Sequence, residues 1–545
     1  MVPPAGRAPA FLSVYIHDTD YDAQTQHRTT ANPQLDANVL RELTEMLHGI
    51  NPYIQTFRSL REWAIADQAP DLYRMVIHAD RRPSDAHRGR YNGPANSEVA
   101  AIIPGSEDGE IGTRDIVLRR RGTLNTNGNE QLDKVSVTHR SYDPLTYVLL
   151  FPDGRDGWHF ELSLSGGTSR RNKVTPKMFY AWKLFQRPSE FSTLLHAGRL
   201  FQQYLVDQYA KSEAEKLKYL RQNQARLRAS DYSALREALG YSGRMQDEAD
   251  IVRAGRLFIL PSTYIGGDRY MRQQLHDIIA ISNKVGHPDI FLTMTCNPQW
   301  PEILRSLPPG QTPQDRPDLC ARVFHMELRA LLSFVLDEKY YGQVVAHVSV
   351  IEFQKRGLPH AHCIFFLDRV SKQQLQDPAR VDQLICAEIP PHEDAELREV
   401  VLKHAIHAPC EGINAQAVCL GEDGKCRKRF PKPFSDETGR NDNNYYVTYR
   451  RRAPGFGGES VQRTIRVGNG STLQYVNNSW VVPYSPEISR MFSCHINAEL
   501  CISRVGGIKY LFKYVCKRHD RVTVELVGEN QRYDEIGTFQ DARYI

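Results

Sequence analysis

Two histidines separated by a single residue, His360 and His362, constrain this chain more than any other feature of its sequence. The residues that follow them, 363–367, form an apolar run that is typical of a buried strand. Side chains two positions apart on a strand point to the same face, so both imidazoles can face one cation while Ala361 turns into the core. The pattern therefore predicts a buried strand that presents two metal-ligating histidines.

A second strand is predicted upstream of the histidines. Residues 344–353 are rich in β-branched side chains, and Gly357 and Pro359 in the link that follows favour a turn. The two strands should therefore pair as a hairpin. The third metal ligand is then either Glu352 or Gln354, at the end of the upstream strand.

Residues 508–517, near the C-terminus, have the periodicity of an amphipathic helix. Their apolar side chains recur at positions i, i+3, i+4 and i+7: Ile508, Leu511, Phe512 and Val515. Two phenols and two amines share the other side: Tyr510, Lys513, Tyr514 and Lys517. A phenol with a pKa near ~10 is a poor nucleophile, but it becomes usable beside a cation that polarises a phosphodiester.

Paired histidines followed by this tyrosine pair resemble the two-tyrosine HUH endonucleases of rolling-circle replication. In particular, they resemble the replication-initiator region of Helitron transposases, also known as the Helitron helicase-like domain. Further stretches are similar to that family: residues 201–207, 291–298, 300–303 and 310–319. The resemblance extends from about residue 142 to about residue 520.

The resemblance implies an α+β fold, with an HUH endonuclease core in which helices flank a central antiparallel sheet. It also implies an N-terminal accessory α+β region and an insertion that contains His and Cys. The expected divisions are an accessory region, a helical region, the first part of the nuclease, the His/Cys insertion and the completed nuclease: 1–175, 176–254, 255–400, 401–440 and 441–545.

The implied activity is cleavage and rejoining of single-stranded DNA at transposon ends through a 5′-phosphotyrosine. His360 and His362 would hold Mg²⁺ or Mn²⁺ together with Glu352, while Gln354 stays an alternative ligand. Either tyrosine of the C-terminal pair would attack, and Lys513 and Lys517 would hold the phosphate. DNA contacts are expected at five further positions: Thr293, Thr295, Asn297, Arg356 and Arg518. The family also implies a nuclear location.

A second candidate metal site lies in a short segment with few apolar residues. It contains four side chains suited to structural Zn²⁺: His407, Cys410, Cys419 and Cys426. Their spacing matches no standard zinc finger, so the alternative is a set of reduced cysteines in a loop-rich subdomain. Helitron proteins have a similar His/Cys stretch, which favours the metal. The 10 cysteines of the chain are scattered, as expected in a reducing compartment.

Several classes of function are disfavoured by the sequence. No run of 18 or more apolar residues is present, so we expect no membrane-spanning segment. The motif G-x-x-x-x-G-K-[ST] is absent, so we expect no ATPase site, and a partner helicase domain would lie outside this sequence. Two alternatives remain: a metallohydrolase, and a transposon-derived protein that binds single-stranded DNA without cleaving it. A net charge of +5 is too small to imply a nucleic-acid partner by itself.

Overall fold

The computed structural model describes most of the chain, in the following residues: 21–55, 116–124, 130–168, 171–187, 190–224, 260–354, 357–407, 410, 411, 413, 414, 417, 419–440, 447–467, 470–501, 536 and 539. The chain divides into two compact units, Met1–Lys216 and Leu217–Ile545. Among the described residues, no helix is both long enough and apolar enough to cross a lipid bilayer.

The N-terminal unit combines helices with short antiparallel strand pairs. Its elements are α1 Tyr21–Ala31, α2 Ala37–Ile50, β1 Ile116–Leu124, β2 Glu130–Val135, α3 Tyr142–Thr146, β3 Ser163–Thr168, β4 Arg171–Lys173, α4 Pro176–Lys183 and the first part of α5 Gly198–Gln222. Strand β1 pairs with β2, and β3 pairs with β4. Side-chain caps start two of the helices: Asp36 accepts from the N–H groups of Asn38 and Val39, and Thr175 accepts from that of Met178.

One apolar run of this unit departs from its sequence pattern. Residues 147–151 resemble a strand by composition, but they form consecutive turns. The N–H of Tyr147 donates to the carbonyl of Asp143, and the N–H groups of Leu150 and Phe151 donate to the carbonyl of Tyr147. The run is apolar because Tyr147, Leu150 and Phe151 are buried in an aromatic core, and burial alone does not specify a strand.

The C-terminal unit contains a four-stranded sheet and the helices around it. Its elements are α6 Asp268–Val285, β5 Ile290–Thr295, α7 Pro301–Ser306, α8 Pro317–Leu336, β6 Val344–Phe353, β7 Pro359–Leu367, α9 Arg369–Gln374, α10 Pro378–Leu384, α11 Ala395–His404, β8 Gly439–Arg440, β9 Val447–Thr448, β10 Ser460–Val467, β11 Gly470–Asn477, α12 Pro486–Phe492 and β12 His495–Leu500, with 3-10 turns at Pro313–Asp315 and Asn478–Trp480.

The four strands of the sheet are antiparallel in the order β12-β5-β7-β6. On one face of the sheet the side chains of β5 and β7 are apolar, with Leu292, Met294, Ala361 and Cys363 buried in the main core. Helix α8 packs there through an apolar stripe that includes Phe324, Leu328 and Leu331. Alternation along the strands turns the intervening side chains to the opposite face.

That opposite face is divided along the strands. At one end, Phe291, Ile364 and Phe366 form a buried cluster with Ile278 and Ile281 of α6. Toward the β6–β7 turn, the side chains of the same face become polar. Helix α6 therefore covers the apolar half, and the polar half holds the histidines and Glu352.

The mixed α+β class, with helices around an antiparallel sheet, is confirmed. The hairpin of 344–353 with 359–367 forms as the sequence predicted. The apolar run 289–295, whose composition also indicates a buried strand, forms β5 from Ile290. The helix predicted around residues 508–517 lies outside the described residues.

The His/Cys segment is joined to the sheet through the residues just before α12. Ile406 forms an antiparallel bridge with Val481, and the N–H of Val482 donates to the carbonyl of Ala405. The N–H of Ala498, on the outer strand β12, donates in turn to the carbonyl of Pro483. The segment is therefore connected by backbone hydrogen bonds to the edge of the sheet.

Candidate metal centres

Three metal-ligating side chains converge at the turn end of the β6–β7 hairpin. Glu352 on β6 lies directly opposite His360 on β7, and His362 is two residues further along the same face. Oε2 of Glu352 is 3.5 Å from Nε2 of His360 and 3.5 Å from Nε2 of His362. The donor atoms of these residues, here called the Glu/His cluster, all lie within 4.8 Å of one another.

The spacing of these donors fits a metal ion. Two ligand atoms about 2.1 Å from a cation lie ~3.4 Å apart at a tetrahedral angle and ~3.0 Å apart at the right angle of octahedral Mg²⁺ coordination. The two nitrogen-to-oxygen distances of 3.5 Å in the Glu/His cluster are close to the tetrahedral separation and about 0.5 Å longer than the octahedral one. Since the described part of the chain supplies three ligands here, further coordination positions would be available to oxygen atoms of water or a substrate. The Glu/His cluster could therefore hold a metal ion that also contacts a second molecule.

His362 is held by two residues of the neighbouring strand β5. Oγ1 of Thr293 lies 2.9 Å from Nδ1 of His362, and both residues are buried. The ring of Phe291 stacks on the imidazole, with centroids 5.6 Å apart and an interplanar angle of 16°. The ring of His360 is perpendicular to that of His362, with centroids 4.7 Å apart. These contacts orient His362 so that its Nε2 faces Glu352.

The structure also describes three other residues that the sequence predicted for this region: Gln354, Thr295 and Asn297. Gln354 is exposed, one residue beyond the end of β6, and its backbone N–H donates to the carbonyl of Leu358. Thr295 lies directly opposite His360 in the sheet. Asn297 follows β5, and its side-chain amide donates to the carbonyl of Ser493 over 2.8 Å.

Six predicted residues lie outside the part of the chain that the structure describes. They are the two candidate nucleophiles, the two lysines beside them and two proposed DNA contacts: Tyr510, Tyr514, Lys513, Lys517, Arg356 and Arg518. Their roles stay predictions.

The sheet also brings residues to the site that sequence reasoning did not assign to it. His495 and Asn497 on β12 lie opposite Thr295 and Thr293, so one polar row runs across the sheet from His495 through Thr295 and His360 to Glu352. Residues 495–500 alternate polar and apolar side chains, which is a readable strand signal. Their pairing with β5 was not readable, because it joins segments that are distant in sequence.

His495 is fixed by a backbone contact. Its Nδ1–H donates to the carbonyl of His404 over 2.5 Å. Burial lowers the pKa of His495, although this hydrogen bond opposes the shift. A neutral imidazole therefore lies at the outer end of the polar row.

The second predicted metal site is also assembled. Nε2 of His407 lies 3.6 Å from Sγ of Cys410 and 3.5 Å from Sγ of Cys426. Together with Cys419 these donors, here called the Cys/His cluster, lie within 4.8 Å of one another. A tetrahedral Zn²⁺ with bonds of about 2.3 Å to sulfur and about 2.0 Å to nitrogen places those ligand atoms ~3.6 Å apart. The donor types and their separations both fit a four-ligand metal site.

The surroundings of two members of the Cys/His cluster, Cys426 and His407, favour metal-binding protonation states, whereas burial raises the pKa of the Cys410 thiol to about 12. Burial raises the pKa of a thiol, but the backbone N–H groups of Phe430 and Lys428 lower the pKa of Cys426 below its usual value. Burial, followed by the charges of Lys428 and Lys432, lowers the pKa of His407 and so keeps its imidazole neutral. The ring of His407 stacks on Phe430 at 4.3 Å, which fixes its plane.

Comparison with known proteins adds a family to this geometry. No curated protein matches the chain. Residues 179–365 match the family model described as the Helitron helicase-like domain at the N-terminus. The matched segment includes Phe291, Thr293 and the whole Glu/His cluster, and it ends before the Cys/His cluster. The match confirms the resemblance drawn from the sequence motifs: residues 179–365 are similar to the Helitron helicase-like domain.

Proposed function

We propose that this protein is a Helitron-type rolling-circle transposase that nicks and rejoins single-stranded DNA through a 5′-phosphotyrosine. The observation that carries the proposal is the convergence of Glu352, His360 and His362 on one sheet face, inside the segment that matches the Helitron family model. A donor set of two imidazoles and one carboxylate, with open positions, suits a cation that binds a phosphate oxygen.

The proposed roles follow from the chemistry of each side chain. His360, His362 and Glu352 would hold Mg²⁺ or Mn²⁺, and a cation held there would supply stabilisation for the charge that develops on the scissile phosphate. Tyr510 or Tyr514 attacks phosphorus, forming a phenolic oxygen–phosphorus bond and releasing the 3′-hydroxyl of the cleaved strand. The reverse attack by a 3′-hydroxyl restores the phosphodiester without ATP, because the phosphotyrosine retains the ester bond. Two tyrosines permit a second cleavage before the first is resolved.

The length of chain after β12 is sufficient for this reaction. Leu500, the last residue of β12, pairs with Ile290, whereas His360 pairs with Thr295 at the other end of β5. Five residues of strand separate the two ends, about 17 Å. Tyr510 follows Leu500 by ten residues, which can span up to ~33 Å when extended. The tethered phenol can therefore reach the Glu/His cluster.

The remaining ligands and partners belong to the same proposal. Structural Zn²⁺ is proposed for the Cys/His cluster, because four ligands of the appropriate types meet at tetrahedral spacing. The proposed substrate is single-stranded DNA at transposon ends. A helicase domain is the proposed partner, and the nucleus is the proposed location.

Formation of a covalent protein–DNA adduct tests the proposed function. With Mn²⁺ or Mg²⁺ and a labelled single-stranded oligonucleotide, the full chain should form an adduct that survives SDS. The double variant Tyr510→Phe/Tyr514→Phe should form none, since both phenols are absent. Tyr475→Phe is the matched control: it removes an exposed phenol (68% accessible) on β11, outside the proposed site, and should leave the adduct yield unchanged.

Each other outcome has a defined meaning. An adduct that persists in the double variant would rule out both nucleophiles. DNA binding by the wild-type protein without any adduct, in the presence of either metal, would favour the alternative of a DNA-binding protein without cleavage activity.

A further inference from the structure

Thr293 has an intramolecular partner within the Glu/His cluster. It lies on β5 directly opposite His362 on β7, and its Oγ1 is 2.9 Å from Nδ1 of that histidine. Thr293 is 9% accessible and His362 is 6% accessible. A buried hydroxyl directed at an imidazole nitrogen has little surface left for DNA. The contact points to a role for Thr293 different from the predicted DNA contact.

The two nitrogens of His362 face different groups. Nδ1 faces the hydroxyl of Thr293, whereas Nε2 faces Oε2 of Glu352 at 3.5 Å. A nitrogen that ligates a metal must offer its lone pair, so the ring proton has to be on the other nitrogen. Metal binding through Nε2 therefore requires that Nδ1–H donate to Oγ1 of Thr293.

We propose that Thr293 is a positioning residue that holds His362 in the tautomer and orientation needed to ligate a divalent cation. This inference rests on the proposed metal site of the Glu/His cluster. The hydroxyl accepts from Nδ1–H, which directs the lone pair of Nε2 toward Glu352. Phe291, two residues away on the same face of β5, stacks on the ring and fixes its plane. Strand β5 thus sets both the plane of the His362 ring on β7 and the nitrogen of that ring that carries the proton.

The alternative tautomer explains why the hydroxyl matters. With the proton on Nε2, the imidazole could donate to the carboxylate of Glu352, pairing two ligands with each other. A cation would then have to displace that proton before binding. By giving the proton a partner on Nδ1, Thr293 favours the tautomer in which Nε2 and Glu352 are both available. Loss of such an outer partner typically lowers metal affinity roughly 10–100-fold.

Substitution of Thr293 by isosteric and conservative residues tests the inference. Valine has nearly the shape of threonine but no hydroxyl, whereas serine keeps the hydroxyl. We expect the full chain with Thr293→Val to bind Mn²⁺ roughly 10–100-fold more weakly than wild type, and Thr293→Ser to stay within a few-fold of wild type. Titration followed by electron paramagnetic resonance measures the affinities, and thermal melting checks that each variant is folded.

The tautomer itself provides a second measurement that needs no metal. In ¹⁵N-histidine-labelled protein, the His362 signal, assigned by comparison with His362→Gln, should show Nδ1 protonated in the wild type. Thr293→Val should shift the proton toward Nε2. Because this readout reports protonation of the ring, a merely structural role for Thr293 would not alter it in a folded variant.

The outcomes distinguish the inference from the proposal beneath it. If the wild-type protein binds no Mn²⁺, the metal site fails, while the tautomer measurement still decides the role of Thr293. Equal Mn²⁺ affinity in wild type and Thr293→Val would overturn the inference. Equal losses in the valine and serine variants would do the same, because the hydroxyl would not be the cause.

Discussion

At the scale of single residues, burial decides the protonation of the histidines near the sheet edge. His404 ends helix α11, and burial, followed by the charges of Lys403 and His495, lowers its pKa from 6.5 to about 4. His495 is neutral for the same main reason, since burial lowers its pKa too. Charging either imidazole would place a cation in a poorly solvated position beside other potential cations.

Acid should therefore destabilise the fold through His404. Between pH 6.5 and pH 4 the unfolded chain binds a proton on this residue that the folded chain does not, so stability falls as pH falls across that window. Between pH 7 and pH 5 we expect His404→Gln to lose roughly 1 kcal/mol less stability than wild type, because partial exposure of the imidazole weakens the effect of its pKa shift. Urea unfolding at both pH values measures the difference.

The matched control for this prediction is His392→Gln. The side chain of His392 is 77% accessible, so its replacement should leave the acid sensitivity in place. If His404→Gln were as acid-sensitive as wild type, the buried imidazole would not be the source of the effect.

The two threonines predicted to contact DNA, Thr293 and Thr295, also differ at the scale of single residues. Thr293 and Thr295 have identical side chains on one face of β5, but only the register of the sheet assigns Thr293 to His362 and Thr295 to His360. The hydrogen bond to Nδ1 then gives Thr293 a chemical role that its residue type does not specify.

At the scale of elements, Asp289 joins the ends of three strands. It precedes β5, its backbone N–H donates to the carbonyl of Phe365 on β7, and its own carbonyl accepts from Cys501 after β12. Its carboxylate accepts from the N–H of Leu367 over 2.7 Å and lies 3.3 Å from Nζ of Lys372. Burial raises the pKa of Asp289, while the hydrogen bond from Leu367 and the charge of Lys372 oppose that shift.

This arrangement predicts different effects for two substitutions of Asp289. Alanine should destabilise the C-terminal unit by roughly 1–3 kcal/mol, because it leaves the buried N–H of Leu367 without an acceptor. Asparagine keeps an acceptor oxygen and should cost distinctly less. Denaturant unfolding of both variants measures the difference.

Asp277→Ala, at an exposed position of α6, serves as the control and should remain near wild type. Equal losses for Asp289→Ala and Asp289→Asn would indicate that the ion pair with Lys372, rather than the hydrogen bond to Leu367, holds the strand ends.

At the scale of the whole molecule, the C-terminal unit depends on connections between the Cys/His cluster and the sheet. The backbone N–H of His407 donates to the carbonyl of Trp480, and Trp480 packs in the same apolar cluster as Cys410 and Cys426. The segment that follows Trp480 is hydrogen-bonded to β12. A change at the Cys/His cluster should therefore affect the strand that carries His495.

Removal of zinc should destabilise this unit. We expect the purified protein to contain one zinc per chain, and Cys410→Ser and Cys426→Ser each to lose it, with a lower melting temperature. Binding by four ligands contributes directly to folding free energy, since the unfolded chain lacks the assembled site. Elemental analysis together with thermal melting measures both effects.

Cys386→Ser is the control for zinc content, because Cys386 lies outside the Cys/His cluster. Unchanged zinc in the two cluster variants would remove the metal from the proposal and leave four side chains that are merely close together.

The local elements of the C-terminal unit were predictable because each carries its own periodicity. β-branched and apolar runs indicated β5, β6 and β7. The paired histidines with Glu352 were identifiable because the two strands of a hairpin are adjacent in sequence. The short turn between them sets their register. The Cys/His ligands were readable from residue type within one short segment. In the N-terminal unit, by contrast, the apolar composition of residues 147–151 resembles a strand, but these residues form turns. An apolar run indicates burial, and burial occurs in turns as well as in strands.

Only the tertiary structure decided which strands meet. The sequence separates Thr293 from His362 by 69 residues, and no local pattern encodes their contact. Strand order placed β5 between β7 and β12, which brought the hydroxyl of Thr293 to His362 and aligned His495 with the row of His360. Periodicity specifies which face of an element is buried, because that is a property of neighbouring residues. Which other element packs on that face is decided by contacts between residues that are distant in sequence, because all the apolar faces of the chain compete for burial.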